Sequence, residues 1–209
     1  ALRLCGQHDI VAVARSQAEL DHLRGEVEAA GGACRTIALD VADGPAVARA
    51  LTGLRADVLI NNAGVGALKP FLELTPEEWH RQVDVNFNAL YHVTRAVLPG
   101  MVERQSGHVV IIGSVTGRSA FVGGSCYAAT KHAVSGFAEC LMLEVRDQGV
   151  KVSVVNPAST ATEFGGGSPA DKPWALRPED VAETVAHVLS TPPNVLVFTA
   201  EVRALSPRR

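Results

Sequence analysis

Short runs of β-branched and other apolar residues alternate along the chain with longer stretches in which apolar positions recur every three or four residues. The runs predict strands at Ile10 to Ala14, Cys34 to Leu39, Val58 to Ile60, His108 to Ile112, Lys151 to Val155 and Val195 to Phe198. Helices fit between them at Ser16 to Ala30, Pro45 to Leu54, Pro76 to Gln105, Cys126 to Gln148 and Pro178 to Ser190. Ser16 and Thr75 suit N-caps, the latter followed by Pro76 at the first helical position and Glu78 at the capping-box place, while Gly31-Gly32 and Gly149 suit helix stops. Strands alternating with helices predict an α/β fold: a doubly wound parallel sheet with helices on both faces.

The beginning of the chain breaks this pattern. Ala1 to Cys5, followed by Gly6, reads as the last turns of a helix. A doubly wound nucleotide-binding sheet opens with a strand and a glycine-rich turn, and the sequence holds no G-x-x-x-G-x-G and no initiator Met. The first strand and its turn are therefore expected to be missing upstream of Ala1. Gly165-Gly166-Gly167 reads as a mobile loop rather than a linker, and residues 1–209 as one domain.

Composition narrows the class. With 47% hydrophobic and 20% charged positions among 209 residues, the chain can bury a sizeable core. A net charge of -3 and a pI near 6.2 argue against a general nucleic-acid or membrane-surface role, and Arg208-Arg209 is too short a tail to alter that. A small-molecule partner is expected. No apolar run approaches the roughly 18 residues needed to cross a bilayer and no leader precedes the domain, so a cytoplasmic protein is expected. Cys5, Cys34, Cys126 and Cys140 show no C-x-x-C spacing, and the seven histidines no H-x-x-x-H, so neither disulfides nor a metal site is expected.

The candidate chemistry lies in Ser114, Tyr127 and Lys131. A Tyr four residues before a Lys on a helix projects both side chains from one face. If they flank a reacting oxygen, the ammonium favours the phenolate and draws the phenol from roughly 10 toward working pH, making it a usable acid or base. Ser114 ends the apolar run from His108, and Tyr127 opens the next helix after a Gly- and Ser-rich loop. A serine at a strand end and a tyrosine at a helix start can converge at the carboxyl edge of a sheet, where open α/β sheets bind ligands.

Together with Asn61-Asn62-Ala63-Gly64, Asp40 after the preceding strand, Asn86 in the long helix, and Pro157 to Thr162 where a P-G-x-x-x-T would stand, these residues closely resemble the classical short-chain dehydrogenase/reductase family over essentially the whole chain. Ala158 departs from the pattern, replacing the glycine beside the nicotinamide. The resemblance implies that Tyr127 exchanges a proton with the substrate oxygen. Lys131 would lower the phenol and hold the nicotinamide ribose, Ser114 would hydrogen-bond the carbonyl, and Asn86 would hold a water linking Lys131 to solvent. It also implies cofactor contacts from Asp40 and Val41 at the adenine, from Asn61, Ala63 and Gly64 at the adenine ribose, and from Pro157 and Thr162 at the nicotinamide. Each has a plainer alternative: Asn86 a helix-bending amide, Asp40 a helix cap, Asn61 to Gly64 an ordinary turn, Thr162 a loop threonine.

Cofactor choice turns on the end of the strand at Ile10 to Ala14. A carboxylate there would bind the ribose hydroxyls of NAD, but Arg15 and Ser16 stand in its place, and a guanidinium can fork onto a 2′-phosphate. The reading is an NADP(H)-dependent oxidoreductase interconverting a ketone or aldehyde and an alcohol, with NAD(H) possible. Two alternatives stay open: an NAD-preferring dehydrogenase of a secondary or sugar alcohol, and a non-catalytic binding protein on the same fold. Phe71, Leu72, Phe121, Val122, Phe164 and Trp174 could line an apolar pocket, or be core or dimer contacts. The segment between Thr162 and Pro178 is short for a lid and predicts an open site. In the family the two long helices pair across a two-fold axis, so a homodimer or homotetramer is expected.

Overall fold

The computed structural model describes residues 1–205, so Arg208-Arg209 lies outside the described residues. Its centre is the strand pair β4 (Gly107–Ile112) and β5 (Val150–Pro157), whose apolar side chains alternate between two faces as the pleat requires. Val109, Ile111, Val152 and Val154 meet Val47 and Leu51 of α2 (Gly44–Leu51), Leu90, Val93 and Val97 of α4 (Ala89–Glu103), and Val134 and Ala138 of α5 (Ser125–Val145). Val110 and Val155 face the other way, onto Leu4 and onto Val185 and Val188 of α6 (Pro178–Leu189). Each such fully buried valine or leucine contributes about 1.5–3 kcal/mol. Helices thus cover both faces of a parallel sheet, the arrangement expected from the pattern.

The sheet is present in two pieces. β1 (Ile10–Ala14) pairs in parallel with β2 (Cys34–Ala38), and β3 (Val58–Asn61), β4, β5 and β6 (Thr199–Val202) form a second parallel sheet in that order. α1 (Gln17–Ala29) lies against β2. β1 and β3 face each other across a gap in the sheet, bordered by core side chains such as Val13, Leu59, Val134 and Val185. Ile10 to Ala14 and Val58 to Asn61 consequently stay half-exposed or exposed, while β4 and β5 are almost wholly buried.

Several boundaries depart from the sequence pattern. The last strand begins at Thr199, not Val195: in the Val195 to Phe198 run the Val197 carbonyl accepts from Ser153 Oγ and the Phe198 carbonyl from the Val154 N–H, and the ladder starts at Val154 and Thr199. The single helix expected from Pro76 to Gln105 is α3 (Pro76–Val83), a π-helical turn at Asp84–Asn88, and α4. It stops because Gln105 takes a φ of 51°, and no glycine stands there to mark the end. The capping box at Thr75 and Glu78 forms as expected. Gly149 (φ 73°) ends the 3₁₀ turn after α5, and any Cβ there would overlap the Gln105 carbonyl.

Candidate active site

β4 carries the site. After Ile112 the chain passes through Gly113 to Ser114, whose backbone N–H donates to Asn156 Oδ1 at 2.9 Å and whose Oγ accepts from the Thr116 N–H at 3.1 Å. Asn156 is buried near the end of β5, and Gly113 must lack a side chain because a Cβ would collide with that same Oδ1. Ser114 is thereby fixed at the carboxyl end of the sheet by its neighbouring strand.

α5 supplies the other two groups. Tyr127 and Lys131 lie one turn apart on its inner face. Lys131 Nζ donates to the Ile112 carbonyl at 3.0 Å and sits 5.9 Å from the Tyr127 ring centroid, so the ammonium is tied to the strand end that presents Ser114. Lys131 is 6% exposed, and this burial pushes its pKa from 10.5 down to about 8. Burial also raises the Tyr127 phenol, opposed by its interaction with the Ser114 side chain. Burial and the Ser114 hydrogen bond are the influences acting on the phenol here, and the lowering expected from Lys131 is not among them.

Asn86 sits in the π-helical turn, a distortion that recurs at functional sites. Its Oδ1 accepts from the Val65 N–H at 2.8 Å, and its Nδ2 donates to the Val65 carbonyl at 3.0 Å and to Thr130 Oγ1 at 3.2 Å. It neither bends its own helix nor faces solvent; it clips the segment after Asn61-Asn62-Ala63-Gly64 to α5. Both of its amide protons are spent in doing so. Asn61 Nδ2 donates to Thr94 Oγ1, orienting the end of β3.

Of the residues singled out in the sequence, Arg15, Ser16, Asp40, Val41, Asn61, Ala63, Gly64, Asn86 and Lys131 all line the gap between the two sheet pieces. Ser114, Tyr127, Pro157 and Thr162 are not among its lining residues. Arg15 is exposed, and its charge lies close enough to Asp40 to help lower that carboxyl. Burial raises Asp40, but hydrogen bonds from the Ala42 N–H and from Arg81 at 3.0 Å outweigh it. Ser16 Oγ caps α1 by accepting from the Glu19 N–H, and Thr162 Oγ1 accepts from the Phe164 N–H at 3.4 Å.

Sequence reasoning missed three contributors. Asn156 was signalled only by being polar inside an otherwise apolar run, Thr130 by nothing, and Arg81 by nothing because its partner Asp40 is 41 positions away. The segment after Thr162 also differs from expectation. It is anchored at its base by an isolated parallel bridge between Thr160 and Leu176, and folds so that Phe164 lies over Tyr127, with ring centroids 5.2 Å apart. The site is covered there, not open.

Comparison with known proteins agrees with this geometry. The short chain dehydrogenase family model matches residues 3–173. The chain is 35% identical over 212 residues to the NADP-dependent 3-hydroxy acid dehydrogenase YdfG of Escherichia coli K12, covering 93% of this chain and 84% of that one. It is also 35% identical over 167 residues to L-xylulose reductase of Mesocricetus auratus, covering 79% and 66%. Among solved structures, the closed form of serine dehydrogenase complexed with NADP+ superposes with a TM-score of 0.87 at 34% identity, covering 95% and 86%. An alcohol dehydrogenase from the archaeon Thermococcus sibiricus complexed with 5-hydroxy-NADP gives 0.88 at 26%, covering 98% and 89%. With Ser114, Tyr127 and Lys131 gathered at the end of β4 and a family match across most of its length, this chain belongs to the short-chain dehydrogenases, oxidoreductases that act on CH–OH groups.

Proposed function

We propose that this chain is an NADP(H)-dependent oxidoreductase that interconverts a ketone or aldehyde and an alcohol, within a single dinucleotide-binding domain spanning residues 1–209. The observation that carries the reading is the convergence of Ser114, Tyr127 and the buried Lys131 at the carboxyl end of β4, with Arg15, Asp40, Val41, Asn61, Ala63 and Gly64 in or just after the neighbouring strands. The exposed Arg15 guanidinium, with Ser16 beside it, would hold a 2′-phosphate, Asp40 and Val41 would border the adenine, and Lys131 would hold the nicotinamide ribose. Pro157 and Thr162 would face the nicotinamide. NADP dependence in the E. coli relative and the NADP complexes among the structural neighbours support the same choice.

When bound, the nicotinamide supplies or accepts the hydride. The protein's part is the proton. Tyr127 donates it to the carbonyl oxygen, and because burial holds the phenol high, it stays protonated and poised as an acid in the reduction direction. Ser114 hydrogen-bonds the same oxygen and orients it. Lys131, with a pKa near 8, carries its charge at neutral pH and stabilises the phenolate left after transfer. A relay water near Asn86 would bind an acceptor atom, since both side-chain protons are engaged.

The partner is a small molecule, and no nucleic-acid role is assigned. Among the described residues no helix is long and apolar enough to cross a membrane, and a cytoplasmic location is proposed. Tyr91 on α4 and Leu143 on α5 are more than half exposed, and such apolar residues on the two long helices support a homodimer or homotetramer built through them. The test is NADPH consumption with a carbonyl panel in wild type and Tyr127→Phe. The variant should lose turnover by about 10²–10⁴-fold while keeping NADPH affinity within a few fold, because it removes the proton and not the pocket. Full activity in Tyr127→Phe would sink the mechanism.

A further inference from the structure

The wall that faces the catalytic phenol is built from hydrocarbon. Phe164 packs its ring against Tyr127 at a centroid distance of 5.2 Å and an interplanar angle of 57°. Its other side rests on Gly66: a Cβ there would stand 2.6 Å from the phenyl Cζ, so the ring occupies the space that any other residue would fill. Behind it Gly165 and Gly166 take left-handed φ of 72° and 79°, turning the chain sharply, and Leu68 Cδ1 lies against Gly165. Around this wall Leu68, Phe71, Leu72, Phe121 and Val122 are exposed, from 43% to 97%, which is a concentration of apolar surface that soluble proteins seldom leave uncovered without use. Phe121 lies over Gly124, at the start of the helix that carries Tyr127.

Two cations of the surrounding segments are already paired. Lys69 is bound to Glu78 at 2.7 Å and Arg177 to Asp180 at 3.0 Å. Lys172, which reaches Gly167 on the far arm of the Phe164 segment, and Arg118, exposed in the loop between Ser114 and α5, are the cations that a carboxylate-bearing substrate would have to use.

Resting on the reading of the site as a carbonyl reductase, we propose that Phe164 is the specificity-determining residue and that the substrate is a ketone or aldehyde carrying an aryl or long alkyl group, which packs on the Phe164 ring. The relative from E. coli is named for 3-hydroxy acids; the geometry here points to an apolar substituent instead. The carbonyl takes a hydride at carbon from NADPH and a proton at oxygen from Tyr127, giving an alcohol and NADP⁺. Phe164 itself forms and breaks no bond. It holds the apolar group so that the carbonyl oxygen reaches Ser114 and Tyr127.

The test compares kcat/KM for 4-phenyl-2-butanone and acetoacetate, both with NADPH. Wild type should favour the aryl ketone by at least about tenfold. Phe164→Ala should lower that ratio by about tenfold or more, mainly through the KM of the aryl ketone, and Phe164→Leu should recover part of it. A wild-type preference for acetoacetate would overturn the proposal, as would an unchanged ratio in Phe164→Ala. If neither compound is turned over, the carbonyl panel decides the oxidoreductase reading separately. Saturation-transfer NMR of 4-phenyl-2-butanone then decides the pocket: a signal present in wild type and lost in Phe164→Ala upholds it, and no signal in wild type refutes it.

Discussion

Lys131 is a charged group in a place that disfavours charge, and replacing it should separate stability from function. The folded protein lowers its pKa from 10.5 to about 8. At about 1.4 kcal/mol per pH unit, keeping this ammonium charged in the fold costs roughly 3 kcal/mol at neutral pH. Between pH 8 and 10.5 the unfolded chain still holds the proton while the folded one has released it, so stability gains that amount as pH rises through this window. Lys131→Met keeps the length of the side chain and removes the charge. It forfeits the bond to the Ile112 carbonyl, about 1–2 kcal/mol, and should be more stable than wild type by roughly 1–2 kcal/mol at pH 7. Urea unfolding of both proteins at pH 7 and near pH 10.5 measures this. The advantage of the Met variant should shrink by roughly 3 kcal/mol across that range, while its turnover is negligible at both. A difference between the two proteins that is independent of pH would show that Lys131 is not desolvated in the fold, and the electrostatic account of the site would fail with it.

Three further outcomes follow from the geometry. Arg15→Asp should reverse the NADPH over NADH preference, with about a tenfold or greater loss of NADPH affinity by fluorescence titration; unchanged affinities for both would refute the phosphate assignment. Asn86→Ala leaves the Val65 N–H and carbonyl unpaired and should cost about 1–3 kcal/mol in denaturant unfolding together with weaker cofactor binding, whereas a neutral result would mean the clip is dispensable. His108 is buried against Ser153, and burial, aided by Lys151, depresses its pKa from 6.5 to about 4. The unfolded chain therefore takes up a proton near pH 6.5 that the fold refuses until about pH 4, and stability should fall by up to roughly 3 kcal/mol over that window; His108→Gln should flatten the decline in acid unfolding curves.

The sites that failed to show in the sequence share a cause. Asp40 was legible as a carboxylate after a strand, but not its engagement with Arg81, because pairing across 41 positions leaves no periodic trace. Asn86 was legible as a polar residue in a long apolar helix. Its clip onto Val65 was not, because it depends on a π-helical turn that side-chain spacing does not encode. Val195 to Phe198 reads as a strand by composition, yet the ladder starts four residues later, with the Ser153 side chain taking the Val197 carbonyl in the earlier run.

The sequence alone determined what depends on local period and short spacing. Strands at β-branched runs, helices between them, the Thr75 capping box and the i, i+4 placement of Tyr127 and Lys131 all follow from the geometry of single elements. The short-chain dehydrogenase resemblance, carried by motifs in fixed order, was likewise open to reading. Tertiary structure decided what depends on desolvation and on contacts between distant segments. Only the packed fold raises the Tyr127 phenol and lowers Lys131, because burial disfavours the charged form of each. Only the fold brings Phe164 onto Tyr127 and Gly66, because the approach of three loops is fixed by the elements beneath them and not by the residues at their tips.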